Sequence, residues 1–138
     1  MRICVAYPPM FEKIAEVFPQ ARKPGVIFTW GDTIYNPSDT NIAPQIMAHE
    51  SVHSQRQGKT VASIEAWWKR YLEEAHFRLE EELEAHRAEY RSMKSWTQDR
   101  NAVARELHTI AARLSSPLYG GLLTYGKARR FIVVQPGG

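Results

Sequence analysis

A chain of 138 residues, 43% apolar and 24% charged, can bury one hydrophobic core and is too short for two ordinary domains. That composition excludes disordered, collagen-like and repeat architectures. The formal charge of +3 is a mild basic excess spread along the chain, and its one dense group, Lys127, Arg129 and Arg130, fits a solvated helix face, so no nucleic-acid partner is expected.

Residues 2–6 have the composition of a short strand, and Pro8-Pro9 then favour a turn or the opening of a helix. Met10, Ile14, Val17 and Phe18 follow at helical spacing, which predicts a first helix from about Pro9 to Phe18, ended by Pro19. The double proline also interrupts the apolar N-terminal run before it could form a signal-peptide core. With Cys4 as the only cysteine and no stretch of membrane-spanning length, a cytosolic protein without membrane contact is expected.

Two β-rich runs, Gly25 to Trp30 and Thr33 to Asn36, flank Gly31-Asp32 and predict a tight hairpin closed at Pro37. Asp39, Thr40 or Asn41 is expected to cap the next helix, with Pro44 in its first turn and Gly58 at its end. Apolar residues on both sides of that helix suggest burial through most of its girth. Val61, Ile64, Trp67, Trp68, Tyr71 and Leu72 mark a heavily buried helix, followed by a charged one from Glu73 to Trp96. Thr97 is expected to cap a helix over 98–114, and Thr124 a short one through Phe131, before a frayed end over 134–138.

The stretch His49-Glu50-Ser51-Val52-His53 falls inside the predicted buried helix. Histidines four apart on a helix project from one face at a separation suited to one metal ion. Glu50 beside them is placed to take a proton from a metal-bound water. On the following helix, Ala75, Leu79, Glu82, Leu83, His86, Tyr90 and Met93 share one stripe at 100° per residue. A carboxylate on that core-facing stripe needs a partner, which a metal held by two histidines would supply. Glu82 is therefore the expected third ligand; Glu80 and Glu84 point away and Glu81 is disfavoured. His86 is expected to support a ligand or, alternatively, to replace Glu82 as the third one. His108 is expected on a helix face.

HESVH followed by Glu82-Leu83-Glu84-Ala85-His86 resembles the gluzincin metallopeptidases, and the small size resembles the minigluzincins. GDTIYNP before it, ELEAHRAEY after it and LSSPLYG near the end are similar to a phage and prophage group of zinc metallopeptidases, over roughly residues 25–132. The resemblance implies His49, His53 and Glu82 as ligands of one zinc ion, Glu50 as general base, and a hairpin strand over the cleft. Gluzincins generally carry an aspartate four residues after the ligand glutamate; here that position is His86. Tyr35, Tyr90 and Tyr119 are candidates for the donor that an oxyanion requires, with structural packing as the competing role.

The expectation is a single-domain, predominantly helical α+β protein, with a small N-terminal sheet packed on a bundle holding the His49–His53 helix and the Glu82 helix. It would hydrolyse peptide bonds of a peptide or protein substrate; the alternative is an inactive or structural metal-binding domain of the same fold that binds a phage or host protein.

Overall fold

The computed structural model describes residues 1–134, and the expected fraying past Val134 lies outside them. Three strands and six α-helices follow one another as β1 (Arg2–Cys4), α1 (Phe11–Val17), β2 (Phe28–Trp30), β3 (Thr33–Tyr35), α2 (Pro44–Gln57), α3 (Val61–Glu73), α4 (Ala75–Trp96), α5 (Arg100–Leu114) and α6 (Tyr125–Val133). Short 3-10 turns at Pro19–Arg22 and Pro117–Tyr119 complete the order. The fold is α+β and mostly helical, with the small sheet near the N-terminus.

The hairpin forms at Gly31-Asp32, pairing Trp30 with Thr33 and Phe28 with Tyr35. Gly31 sits at φ +61°, a conformation that favours glycine, and a Cβ there would also push aside the tip of Ile64, whose Cδ1 would lie 2.8 Å away. β1 adds in parallel to the other side of β3, giving the order β1-β3-β2. That leaves β2 as an edge, and it is the edge that packs against α2.

Helix ends follow local chemistry more than the expected caps. α2 starts at Pro44 behind Ala43, with no side-chain cap. Thr40 is engaged elsewhere: its N–H and hydroxyl both donate to Asn36 Oδ1 at 3.1 Å, and Asp39 lies at φ 50°. Asp99, not Thr97, caps α5, accepting from the N–H groups of Asn101 and Ala102. Thr97 instead accepts from the Asp99 N–H and sets up that cap. Thr124 caps α6 as expected. α1 is shorter than expected, beginning at Phe11 because Met10 is left-handed at φ 60°.

Two apolar clusters make the core. One joins α1, the sheet and α3 through Ile14, Phe28, Ile64, Trp67 and Trp68. The other joins α4, α5 and α6 through Leu79, Tyr90, Leu107, Ile110, Leu114 and Ile132. Val61, expected in the core, is exposed at the first turn of α3. α2 contributes to neither cluster, which corrects the expectation of an apolar helix buried nearly all round. Its fully buried residues are His49, Glu50, His53 and Gln57, all polar, while Ile46, Met47 and Val52 are only half-buried. The most extensive helix contact in the molecule, α2 on α4, is therefore built on polar side chains that must satisfy one another.

Candidate metal centre

The His49, His53, Gln57 row is a straight i, i+4, i+8 line on α2, and it faces the Glu82, His86, Glu89 line of α4. Across the seam, His53 Nε2 lies 3.2 Å from His49 Nε2. Glu82 Oε2 lies 3.1 Å from His49 Nε2, and Glu82 Oε1 2.9 Å from His53 Nε2. Two imidazole nitrogens and one carboxylate, from three side chains, thus converge, and they could hold a metal ion. Two imidazole nitrogens facing each other can share at most one hydrogen, so the group as a whole suits a shared cation better than a closed set of hydrogen bonds.

The electrostatics agree. Burial opposes a charge on His49, but the Glu82 and Glu89 carboxylates outweigh it and raise its pKa well above the usual imidazole range. Burial likewise opposes ionisation of Glu82, yet the two imidazoles hold it well below the usual carboxylate range. A pocket that forces a proton onto a buried histidine in order to neutralise its carboxylates is a site that attracts a cation.

The supporting residues differ from expectation. His49 Nδ1 lies 2.8 Å from Glu89 Oε1, and His86 Nδ1 lies 3.0 Å from the same oxygen. With Nδ1–H donating to Glu89, His49 keeps its Nε2 lone pair for the centre. The orienting carboxylate therefore comes seven residues after Glu82 and not four. His86, fully buried, stands behind His49 with the two rings 4.5 Å apart, and its Nε2 is 3.7 Å from Glu82 Oε2. It stays outside the three-donor group, and burial lowers its pKa. His49, His86 and Glu89 also form a compact group. Their spacing is met by the two hydrogen bonds to Glu89, and none of the three lines the cavity.

That cavity, ≈ 170 Å³, opens beside the centre. Glu50, His53 and Glu82 form its polar end, and Phe18, Val26, Phe28, Trp67, Trp68 and Leu118 are among its apolar walls. Glu50 is held by Thr29, whose hydroxyl donates to Oε2 at 2.6 Å. The tyrosine at the cavity is Tyr71, which donates to Glu82 Oε1 at 2.8 Å; burial and the Glu82 charge raise its pKa well above the usual phenol range. Of the expected tyrosines, Tyr35 pairs with Phe28 in the sheet and Tyr90 packs among the α4–α6 side chains. Tyr119 is buried in the α4–α6 cluster, and burial raises its pKa. None of these three lines the cavity.

Glu81 is buried although its side chain faces away from the centre. It accepts from Trp67 Nε1 at 2.5 Å and from Arg56 Nε at 2.7 Å, tying α2, α3 and α4 together. His108 is exposed on α5, its Nδ1 2.9 Å from the Tyr125 hydroxyl.

Among the described residues, no helix is long and apolar enough to cross a membrane. Fold and cluster together define a mostly helical α+β protein with a buried two-histidine, one-glutamate candidate metal centre. No family model, no curated protein and no solved structure matches the chain.

Proposed function

We propose that the protein is a zinc-dependent metallopeptidase, with His49, His53 and Glu82 holding one zinc ion and Glu50 as the general base. The observation that carries this reading is the convergence of two imidazole nitrogens, 3.2 Å apart, on the Glu82 carboxylate, whose Oε2 lies 3.1 Å from His49 Nε2 and whose Oε1 lies 2.9 Å from His53 Nε2, with Glu50 and a cavity at their open side. Donor atoms placed tetrahedrally about 2.0–2.1 Å from one ion stand about 3.3 Å apart, so little movement would be needed. Two imidazoles and one carboxylate suit zinc better than magnesium or calcium, which take oxygen ligands.

When bound, zinc supplies a Lewis acid that polarises the scissile carbonyl and makes water acidic enough to be deprotonated near neutral pH. The chain's own residues do the rest. Glu50 takes the proton as the water oxygen attacks the carbonyl carbon, and returns it to the amide nitrogen as the C–N bond breaks. Glu89 keeps His49 in one tautomer and ring orientation, while Tyr71 fixes Glu82. The apolar wall offers room for a side chain of a peptide or protein substrate.

Zinc titration of the purified, metal-stripped protein should give one equivalent bound, with a rise in melting temperature equivalent to about 2.7 kcal/mol at a hundred times Kd. His49→Ala should lose both. Glu50→Gln should keep the metal and lose cleavage of an unfolded protein substrate that the wild type cuts. A folded wild type that takes up no zinc ends the proposal; one that binds zinc and cuts nothing supports a structural metal domain.

A further inference from the structure

Thr29 is held more tightly than any ordinary edge-strand residue needs to be. Its carbonyl accepts from Gln57 Nε2 at 2.9 Å and from Trp68 Nε1 at 3.1 Å. Two residues on, the Gly31 N–H donates to Gln57 Oε1 at 2.7 Å. The single carboxamide of Gln57, itself 2% exposed, thus clips the strand at two points from the same helical row that carries His49 and His53.

Strand alternation shows which edge this is. Arg2 N–H donates to the Asp32 carbonyl, and Asn36 N–H to the Cys4 carbonyl, so the even-numbered residues of this stretch of β3 turn their main-chain groups toward β1. Thr33 and Tyr35 then face β2 and pair with Trp30 and Phe28. Thr29 lies between those pairs and points its N–H and C=O outward, along the edge where an extended peptide would add. Its carbonyl has two lone pairs, and both are taken.

We propose that Thr29 is a positioning residue for Glu50: β2 serves the site at this point by presenting a fixed hydroxyl to the base, and its Thr29 carbonyl reads no substrate main chain. The hydroxyl donates to Oε2 at 2.6 Å, in a buried setting where a bond to a charged acceptor is strong. With Oε2 occupied, Oε1 is the oxygen that accepts the proton from water and later gives it to the departing amide nitrogen. The Thr29 proton stays on Thr29 throughout. The catalytic half of this inference rests on the metallopeptidase reading; the Thr29–Glu50 coupling does not.

Two measurements on the full chain test it. In zinc-loaded protein, Thr29→Val should lower kcat about tenfold, as loss of one hydrogen bond to a charged group implies, with KM and zinc affinity within about twofold of wild type. Thr29→Ser, which keeps the hydroxyl, should restore most of kcat. In metal-free protein, a double-mutant cycle of Thr29→Val with Glu50→Ala, which removes the acceptor, read by urea unfolding, should show coupling of about tenfold in the unfolding constant. A Thr29→Val enzyme with unchanged kcat, a serine variant as impaired as the valine one, or an additive cycle overturns the proposal while the metallopeptidase stands. A wild type that binds zinc and hydrolyses nothing overturns the catalytic role together with that reading, and the cycle alone then decides whether Thr29 holds Glu50.

Discussion

Glu89 Oε1 lies 2.8 Å from Nδ1 of His49, on the far side of the imidazole from Glu82. A carboxylate in that place fixes the ring and makes it a better ligand. Given the zinc reading, Glu89→Ala should therefore weaken zinc binding about 10- to 100-fold without touching a proposed ligand, and Glu89→Gln, which can still accept from Nδ1–H but lacks the charge, should fall between. Competition against a chromophoric chelator measures this. Equal affinities in all three proteins would mean that Glu89 only fills the seam.

The sequence carried this site unevenly. His49, Glu50, His53 and Glu82 are legible because helical spacing alone decides which side chains share a face. Glu89 carried the same signal, falling about 20° from Glu82 at 100° per residue, but it shares its stripe with His86, which stands nearer to Glu82 in the chain. Thr29 and Tyr71 left no trace: a strand threonine and a tyrosine in an apolar helix become site residues only through how the sheet and α3 pack against α2 and α4. The caps missed for the same reason, since Thr40 was already bound to Asn36 and Thr97 to the Asp99 N–H. The hairpin, by contrast, was legible because Gly31-Asp32 is a local device.

Glu81 is the structural counterpart of the carboxylates in the candidate metal centre. It is 3% exposed, and Arg56 and Trp67 donate to its two oxygens. Removing the guanidinium strands a buried charge with one donor left. Arg56→Met should cost about 2–3 kcal/mol in urea unfolding, discounted because Arg56 itself is half-exposed, while zinc stoichiometry stays at one. A loss below about 0.5 kcal/mol would show that Glu81 is satisfied by Trp67 alone.

Glu106 on α5 gives a pH signature. Its hydrogen bond to Glu89 and its partial burial push its carboxyl up to about 8, from an ordinary value of 4.5. Burial opposes the charge on Glu89, but its bonds to His49, His86 and Glu106 hold it far below the usual range. Between pH 4.5 and 8 the folded pair keeps one proton that the unfolded chain has lost. The Glu106 contribution is thus complete below the unfolded pKa and is lost as pH rises through the folded one. Glu106→Gln, a permanent neutral donor, should gain stability relative to wild type as pH rises through that window. Parallel unfolding curves for the two proteins would refute the shared proton.

The apolar end of the cavity predicts selectivity by size. A dry apolar cavity of about 150 Å³ takes up benzene, so ≈ 170 Å³ has room for a phenyl ring or a branched aliphatic chain. Ala21, 5% exposed, is one of its lining residues, and a larger side chain there would project into space a substrate would use. Given the peptidase reading, Ala21→Leu should lower kcat/KM about tenfold for a peptide with phenylalanine beside the scissile bond, and leave its alanine counterpart within about twofold. The metal and Glu50 are untouched by that change, so a uniform loss on both peptides would point to a disturbed fold, and no loss on either would place the substrate side chain elsewhere. A paired kinetic comparison of the two peptides, with zinc content checked in each protein, separates these outcomes.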